Sequence, residues 1–465
     1  MRVAMTCWLP DFLYRDGAFE PGVAMFADSS GRITHFSSDP SETAKAQRLP
    51  GRAILPGLVN AHSHAFQRVI RGRTEQVGIK LPDSFWTWRE CMYRAANLLS
   101  PEALYHVARM AFLEMLLGGI TTVGEFHYLH HAPGGVPYHD RNQLALELVR
   151  AAEDTGLRIA LLRSAYVRGG WNKPAETGQA RFLTPQVEDF VRDTEALRTA
   201  IAGVPGRAWL GVAPHSVRAV PLDYLVEIVR YARAHELPVH MHIAEQPAEV
   251  EACLAEYSLT PVELLNQQGL LDSRFTAIHA IHVTQQEIEY LAAARSSVCA
   301  CPTTERNLGD GICPADALAT AGIPIALGSD SNVQIDLLED ARELEYHLRL
   351  QHRERLVLDQ WNGPGKRLFT SATESGAASL GAPTGKLEAG RPADFFTVDL
   401  NDPSIAGAGP DTLVDNVVFS LQRSAIREVC VGGQFVIRDG RHPLVDEIVH
   451  EFSTVQRCLW NDTQV

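Results

Sequence analysis

The chain has 465 residues, 45% of them hydrophobic and 21% charged, a balance that fits a soluble globular protein with one large barrel or two to three domains. Its 42 basic and 56 acidic residues give a formal net charge of −14, which argues against a nucleic-acid-binding surface. No stretch approaches the roughly 18 uncharged apolar residues of a membrane-spanning helix, so no membrane partner is expected.

The opening segment MRVAMTCWLPDFLYRDG has neither the apolar region nor the small-residue cleavage site of a signal peptide. Eight dispersed cysteines fit a reducing compartment better than a disulfide framework, so the cytosol is expected. Residues 1–55 carry short strand-like pieces, VAMFADSS and GRITHF, between Gly, Asp and Ser turns. Residues 56–375 alternate apolar runs with helical patterns. The runs are AILPGLVNA, ITTVGEF, RIALLRSA, AWLGVAP, PVHMHIA, FTAIHAI, SSVCAC and IPIALGS, eight in number.

Amphipathic segments lie between them. PEALYHVARMAFLEMLLGG has Ser100 placed as N-cap and Pro101 at the first helical position. RNQLALELVRAAEDTG, LDYLVEIVRYARAHE, TQQEIEYLAAA and LLEDARELEYHLRL follow. Eight buried parallel strands with intervening helices predict an α/β fold, a (β/α)8 TIM-type barrel. An open doubly wound sheet is the competing architecture, but no glycine-rich dinucleotide turn follows the first strand. Long insertions at 65–100 and 166–186 predict a covered pocket on the loop face. Residues 376–465 regain strand texture in ADFFTVDL, NVVFSL and the glycine-turn hairpin REVCVGGQFVIRDG. They are expected to join residues 1–55 in one small β-sandwich domain.

Chemistry-bearing residues recur at the carboxyl ends of the predicted strands, where barrel enzymes build their sites. The first run ends in His62 and His64, which alternate along a strand and so face the same side. The fifth carries His240 and His242 with Glu245 behind them, the sixth His279 and His282, and the eighth Asp330. Imidazole nitrogens with one carboxylate suit Zn²⁺ or Fe²⁺ in an open catalytic site. Cys299 and Cys301, in SSVCACP, read as buried thiols, and the HYLHH run at 127–131 reads as a polar loop.

PGLVNAHSH, the HxxE of HIAE, the HxxH of HAIH and the GSD of LGSDS together resemble the amidohydrolase superfamily, in particular its aminohydrolase branch, over nearly the whole chain. The resemblance implies His62, His64, His242 and Asp330 as metal ligands. It implies Glu245 as the proton-shuttling carboxylate and His279 as the histidine beside the activated water, with Asp330 also able to take a proton. Many members bridge two metals through a carbamylated lysine on the fourth strand. Here RAWLGVAPHS has no lysine, and none of the five lysines among the 42 basic residues lies in a predicted strand, so a single ion is expected, Zn²⁺ or alternatively Fe²⁺. His240 and His282 are expected to play supporting roles.

Such an ion brings the pKa of water from about 15.7 to about 7, and hydroxide then adds to an electrophilic C=N carbon. The departing nitrogen needs a proton, which Glu245 is placed to relay. Within the branch, RGRTEQ, DSFWTWRE, GEFHYLHH and APHSVR look most like members that release ammonia from N-formimino-L-glutamate in histidine breakdown. A small dicarboxylate needs fixed cationic partners. Arg89, in the loop after the first strand, and Arg218, after the fourth, are the candidates, with Gln67, Tyr128 and His215 as hydrogen-bonding partners. A purine, thioadenosine or triazine substrate is the rival, which Trp86 and Trp88 would favour by stacking. A non-catalytic scaffold would be expected to have lost ligands that this chain retains. The family's habit implies a homodimer.

Overall fold

The computed structural model describes residues 5–75, 85–203, 206–358 and 363–461. Each of the eight apolar runs contains one strand of a single parallel sheet, hydrogen-bonded in chain order. The strands are Leu58–Ser63, Ile120–His127, Arg158–Ala165, Ala208–Pro214, Val239–Ile243, Phe275–His279, Ser297–Ala300 and Ile325–Leu327. Every residue of the second and third strands is buried, as expected of parallel strands covered on both faces. The sheet closes just past the last strand. The His64 N–H donates to the Asp330 carbonyl at 2.9 Å, and the Asp330 N–H donates to that of His62 at 3.0 Å. Asp330 thereby pairs with Ser63 as a parallel bridge.

The helices begin and end where their caps dictate. Ser100 Oγ accepts the Ala103 N–H at 3.1 Å at the head of helix Pro101–Leu117. Thr284 and Glu287 form a reciprocal capping box on Gln285–Ala294, and Asp336 caps Leu337–His352. Helix Gln143–Thr155 ends on Gly156 at φ 81°, the left-handed conformation glycine adopts without strain.

The run AILPGLVNA divides between two sheets. Strand Gln47–Pro56 belongs to the terminal sheet, and the barrel starts at Leu58. Gly57 makes the crossing, where a Cβ would lie 2.2 Å from Thr121 Oγ1. The terminal sheet is hydrogen-bonded in the order Gln434–Ile437, Ile426–Val431, Phe395–Asp399, Gln47–Pro56, Thr6–Arg15, Ala24–Ala27, Ile33–Ser37, with Ala18–Pro21 paired to Thr6–Arg15. Both chain ends therefore build it. Trp8, Phe395 and Phe435 meet edge-on in its core, with ring centroids 5.1, 6.2 and 5.7 Å apart. The expected hairpin turns through Gly432 and Gly433, both at positive φ.

Two elements differ from the sequence reading. NVVFSL, read as a strand, lies in helix Leu413–Phe419 and the turn after it, because Leu413, Val414, Val417, Val418 and Leu421 share a 3.6-residue stripe that packs on Pro364–Thr370 and Leu337–His352. Arg89, placed in a loop, sits on helix Phe85–Leu98, whose Met92, Ala95 and Ala96 are buried. The last helix, Val445–Asn461, lies along Pro101–Leu117, where Glu447 pairs with Arg109 at 2.8 Å.

Candidate active site

His62, His64, His242 and Asp330 converge at the closing edge of the barrel, and one ligand atom from each lies within 4.8 Å of all the others. All four are buried. His62 Nε2 and His64 Nε2 stand 3.2 and 3.3 Å from Asp330 Oδ1. Asp330 reaches them from a backbone at φ 44°, a conformation kept only where the surroundings impose it.

The outer nitrogens fix the rings. His64 Nδ1 is 2.9 Å from the Phe126 carbonyl and His242 Nδ1 is 3.1 Å from that of His215. A carbonyl only accepts, so both Nδ1 atoms carry the proton and both Nε2 atoms present lone pairs. Those two Nε2 atoms face each other at 3.4 Å. Facing lone pairs repel unless a cation lies between them. Donors at about 2.0–2.1 Å from a tetrahedral ion are themselves about 3.3–3.4 Å apart, which is the spacing seen here. Both ring nitrogens of His62 are buried without an aligned hydrogen bond, although Asp330 is near. These residues fit a divalent ion, and a three-nitrogen, one-oxygen set suits Zn²⁺ or Fe²⁺.

The electrostatics agree. Burial, followed by neighbouring imidazoles, holds His242 well below the ordinary histidine range, and burial likewise brings His62 down to about 3. Both rings are therefore neutral, as ligands must be. Burial would raise Asp330, but His62, His279 and His64 outweigh it and keep the carboxylate ionised. His279 runs the other way: burial lowers it, and Glu245, Glu305 and Asp330 together raise it well above the usual value.

Glu245 Oε1 is 3.8 Å from His279 Nε2, and that nitrogen is 3.9 Å from Asp330 Oδ2. Burial pushes the Glu245 carboxyl up, with His279 opposing and Asp330 adding to the rise. A carboxyl raised in this way can both take and return a proton.

Beside this cluster lies a small cavity of about 60 Å³, lined by His64, His242, Glu245 and Asp330 and by all five predicted substrate-binding residues, Gln67, Arg89, Tyr128, His215 and Arg218. Gln67 Nε2 donates to the Tyr128 hydroxyl at 2.9 Å, while its buried Oε1 has no hydrogen-bond partner. Arg218 Nη1 donates to the Gly169 carbonyl at 3.0 Å and the Tyr166 hydroxyl at 3.3 Å. The Arg89 guanidinium stacks over the Tyr93 ring at 5.4 Å.

Both insertions furnish the lining, Trp88, Met92 and Tyr93 from one and Tyr166 and Phe182 from the other. Gln179 joins them by donating to both tyrosine hydroxyls, at 2.9 and 2.8 Å. Sequence reasoning missed these tyrosines, though each sits in an insertion expected to cover the pocket. The side chain of Trp86 lies outside the described residues.

The remaining histidines are engaged elsewhere. His240 Nε2 meets the Ser379 carbonyl at 2.9 Å and His282 Nε2 that of Asp310 at 2.9 Å. Past the strand end at His127 the HYLHH run is a polar loop, as read, but a buried one: His130 Nε2 bonds the Ser164 carbonyl at 2.7 Å and His131 Nε2 that of Leu183 at 2.8 Å. A second group among the described residues, His279, Cys301 and Glu305, was not foreseen. Its one visible signal was an acid five residues past the seventh strand, in CPTTE.

A family model described as the amidohydrolase family matches residues 53–436, which includes every residue of this cluster. The chain belongs to the amidohydrolase family. An amidohydrolase from Brucella melitensis has the same fold, with a TM-score of 0.91 and 36% identity over 98% of this chain and 99% of that one. Formimidoylglutamate deiminase of Pseudomonas aeruginosa is 40% identical over 401 residues, 85% of this chain and 87% of that protein. 8-Oxoguanine deaminase of the same organism is 31% identical over 88% of each chain. This amidohydrolase is thus a hydrolase of C–N bonds other than peptide bonds, and its relatives support hydrolytic deamination. Among its described residues no helix is long and apolar enough to cross a membrane.

Proposed function

We propose that the protein hydrolyses N-formimino-L-glutamate to N-formyl-L-glutamate and ammonia. The carrying observation is that two arginines, Arg89 and Arg218, line the same small cavity as Glu245 and as His64, His242 and Asp330 of the cluster. A substrate with two carboxylates needs cations of this kind beside the reacting centre. The 40% identity to a formimidoylglutamate deiminase supports the same substrate.

His62, His64, His242 and Asp330 would hold one Zn²⁺, with Fe²⁺ the alternative. Bound there, the ion supplies the Lewis acidity that makes hydroxide available near neutral pH. Arg218 binds one substrate carboxylate through its planar fork, and Arg89 with Gln67 and Tyr128 orients the rest of the molecule. Glu245 takes the proton released when water adds to the C=N carbon and delivers it to the departing nitrogen, which leaves as ammonia. His279 Nε2, directed between Glu245 and Asp330, steadies the charge that develops on the oxygen. Trp88, Tyr93, Tyr166 and Phe182 exclude bulk water. The working protein is a cytosolic homodimer in this reading.

A second reading, an amino-purine substrate, is favoured by those aromatic walls and by the 31% identity to 8-oxoguanine deaminase. Ammonia release from N-formimino-L-glutamate, N-formimino-L-aspartate, 8-oxoguanine and 5′-methylthioadenosine separates the two. The formimino dicarboxylate should give the highest kcat/KM. Arg218→Met should then raise KM by roughly 30-fold or more, the equivalent of about 2 kcal/mol for a carboxylate left without its cation, while metal content stays unchanged. Preference for a purine, or an unmoved KM, refutes the assignment.

A further inference from the structure

Glu305 is 2% exposed and stands behind His279, on the side away from Glu245. Its Oε1 lies 3.1 Å from His279 Nδ1 and also accepts the Cys301 N–H at 2.8 Å. An ionised carboxylate only accepts, so His279 Nδ1 carries a proton. Nε2 is then left on the opposite edge of the ring, buried and without a hydrogen-bond partner, 3.8 Å from Glu245 and 3.9 Å from Asp330. The backbone beneath does not hold the ring by an ordinary conformation, since His279 and Ala280 have φ of 69° and 49°. A side chain on so irregular a strand end needs an external anchor.

Helix capping alone does not account for this carboxylate. Glu305 follows the cap residue Cys301 of helix Pro302–Leu308 by four positions, and Oε1 does satisfy the cap N–H. A cap of that kind asks for one acceptor and works at the surface. Burying a carboxylate is costly unless its charge is used, and the second donor on the same oxygen is an imidazole of the reaction site.

We propose that Glu305 is a positioning residue for the hydrolysis, holding the N–H of His279 Nδ1 and so turning Nε2 toward Glu245 and Asp330. It acts through His279, in the way a buried carboxylate orients a catalytic imidazole in other hydrolases. The inference rests on His279 taking part in the deamination, and not on which amidine or aminoheterocycle is the substrate.

The test uses the metal-loaded protein and whichever substrate of the panel it turns over, so a wrong substrate assignment leaves it intact. Glu305→Gln keeps a neutral acceptor for the cap. It should lower kcat by about 10- to 100-fold, the usual effect of removing a carboxylate that orients a histidine. KM should stay within about threefold and metal content should not change. In a His279→Asn background, where asparagine tolerates the positive φ, the same change should lower kcat by less than about threefold, because the group it acts through is gone. Glu305→Asp should retain more activity than the isosteric Glu305→Asn, which decides the matter should either other variant fold poorly or turn over too slowly. A wild-type kcat in Glu305→Gln, an equal loss with and without His279, or Glu305→Asp no better than Glu305→Asn overturns the proposal.

Discussion

Glu125 lies on the second barrel strand, 1% exposed, and its Oε1 accepts the Ala65 N–H at 2.7 Å, one residue past His64. Burial pushes its carboxyl up to about 8 from 4.5, the Ala65 and Ser63 hydrogen bonds opposing the rise. Because the folded-state value is raised, the neutral acid is what the fold prefers. That contribution is fully present below about pH 4.5 and is lost as pH climbs through about 8. Glu249, raised to about 7, and Asp310, raised to about 9, act with the same sign. Melting temperatures measured from pH 5 to 8.5 should therefore fall more steeply for the wild type than for Glu125→Gln, and parallel curves would show that Glu125 stays ionised. At this scale the candidate ligands were legible because HxH, HxxE and a strand-end aspartate recur together at the ends of several strands, none of them telling alone. Glu305 was not, because its partner His279 is 26 residues away and no spacing rule joins the end of one strand to the helix after the next.

Elements around the pocket are tied together by one buried cation. Arg181, fully buried in the second insertion, donates to the carbonyls of His131 at 2.6 Å, Leu99 at 2.8 Å and Ala96, while its own carbonyl accepts the N–H groups of His130 and His131. It thus fastens the 166–186 insertion to helix Phe85–Leu98 and to the HYLHH segment, the three pieces that frame the substrate side. Arg181→Leu leaves buried carbonyls unsatisfied and should lower stability by roughly 3 kcal/mol. A shift of the urea midpoint at unchanged slope would check this, and KM should rise because Gln179, which joins Tyr93 and Tyr166, lies on the segment that Arg181 fastens. None of this was visible in sequence, where 37 of the 42 basic residues are arginines and nothing distinguishes one bound for the interior. The eight strands were legible, since burial on both faces enforces unbroken apolar runs. Strand Thr6–Arg15 was not, because its alternation is interrupted by Pro10 and Asp11 where the pairing register shifts. NVVFSL misled because a short valine-rich run satisfies period 2 and period 3.6 alike.

At the scale of the whole molecule the barrel and the joining of both chain ends in one β-rich region followed from texture and the family from its motifs, while the split of the first run at Gly57 depended on packing between two sheets. The metal reading is also a statement about the entire fold. An ion that binds only the folded chain stabilises it. Protein stripped with a chelator should lose turnover and melt several degrees lower, and about one equivalent of Zn²⁺ should restore both, with further additions changing neither. Unchanged turnover after stripping would remove the ion from the chemistry. The backbone bonds that close the barrel run through His62, His64 and Asp330, three of the four residues gathered for that ion. The cylinder's seam and the candidate metal cluster thus share residues. A mutation that loosens the junction of first and last strands is therefore expected to lower metal affinity and turnover before it lowers the melting temperature.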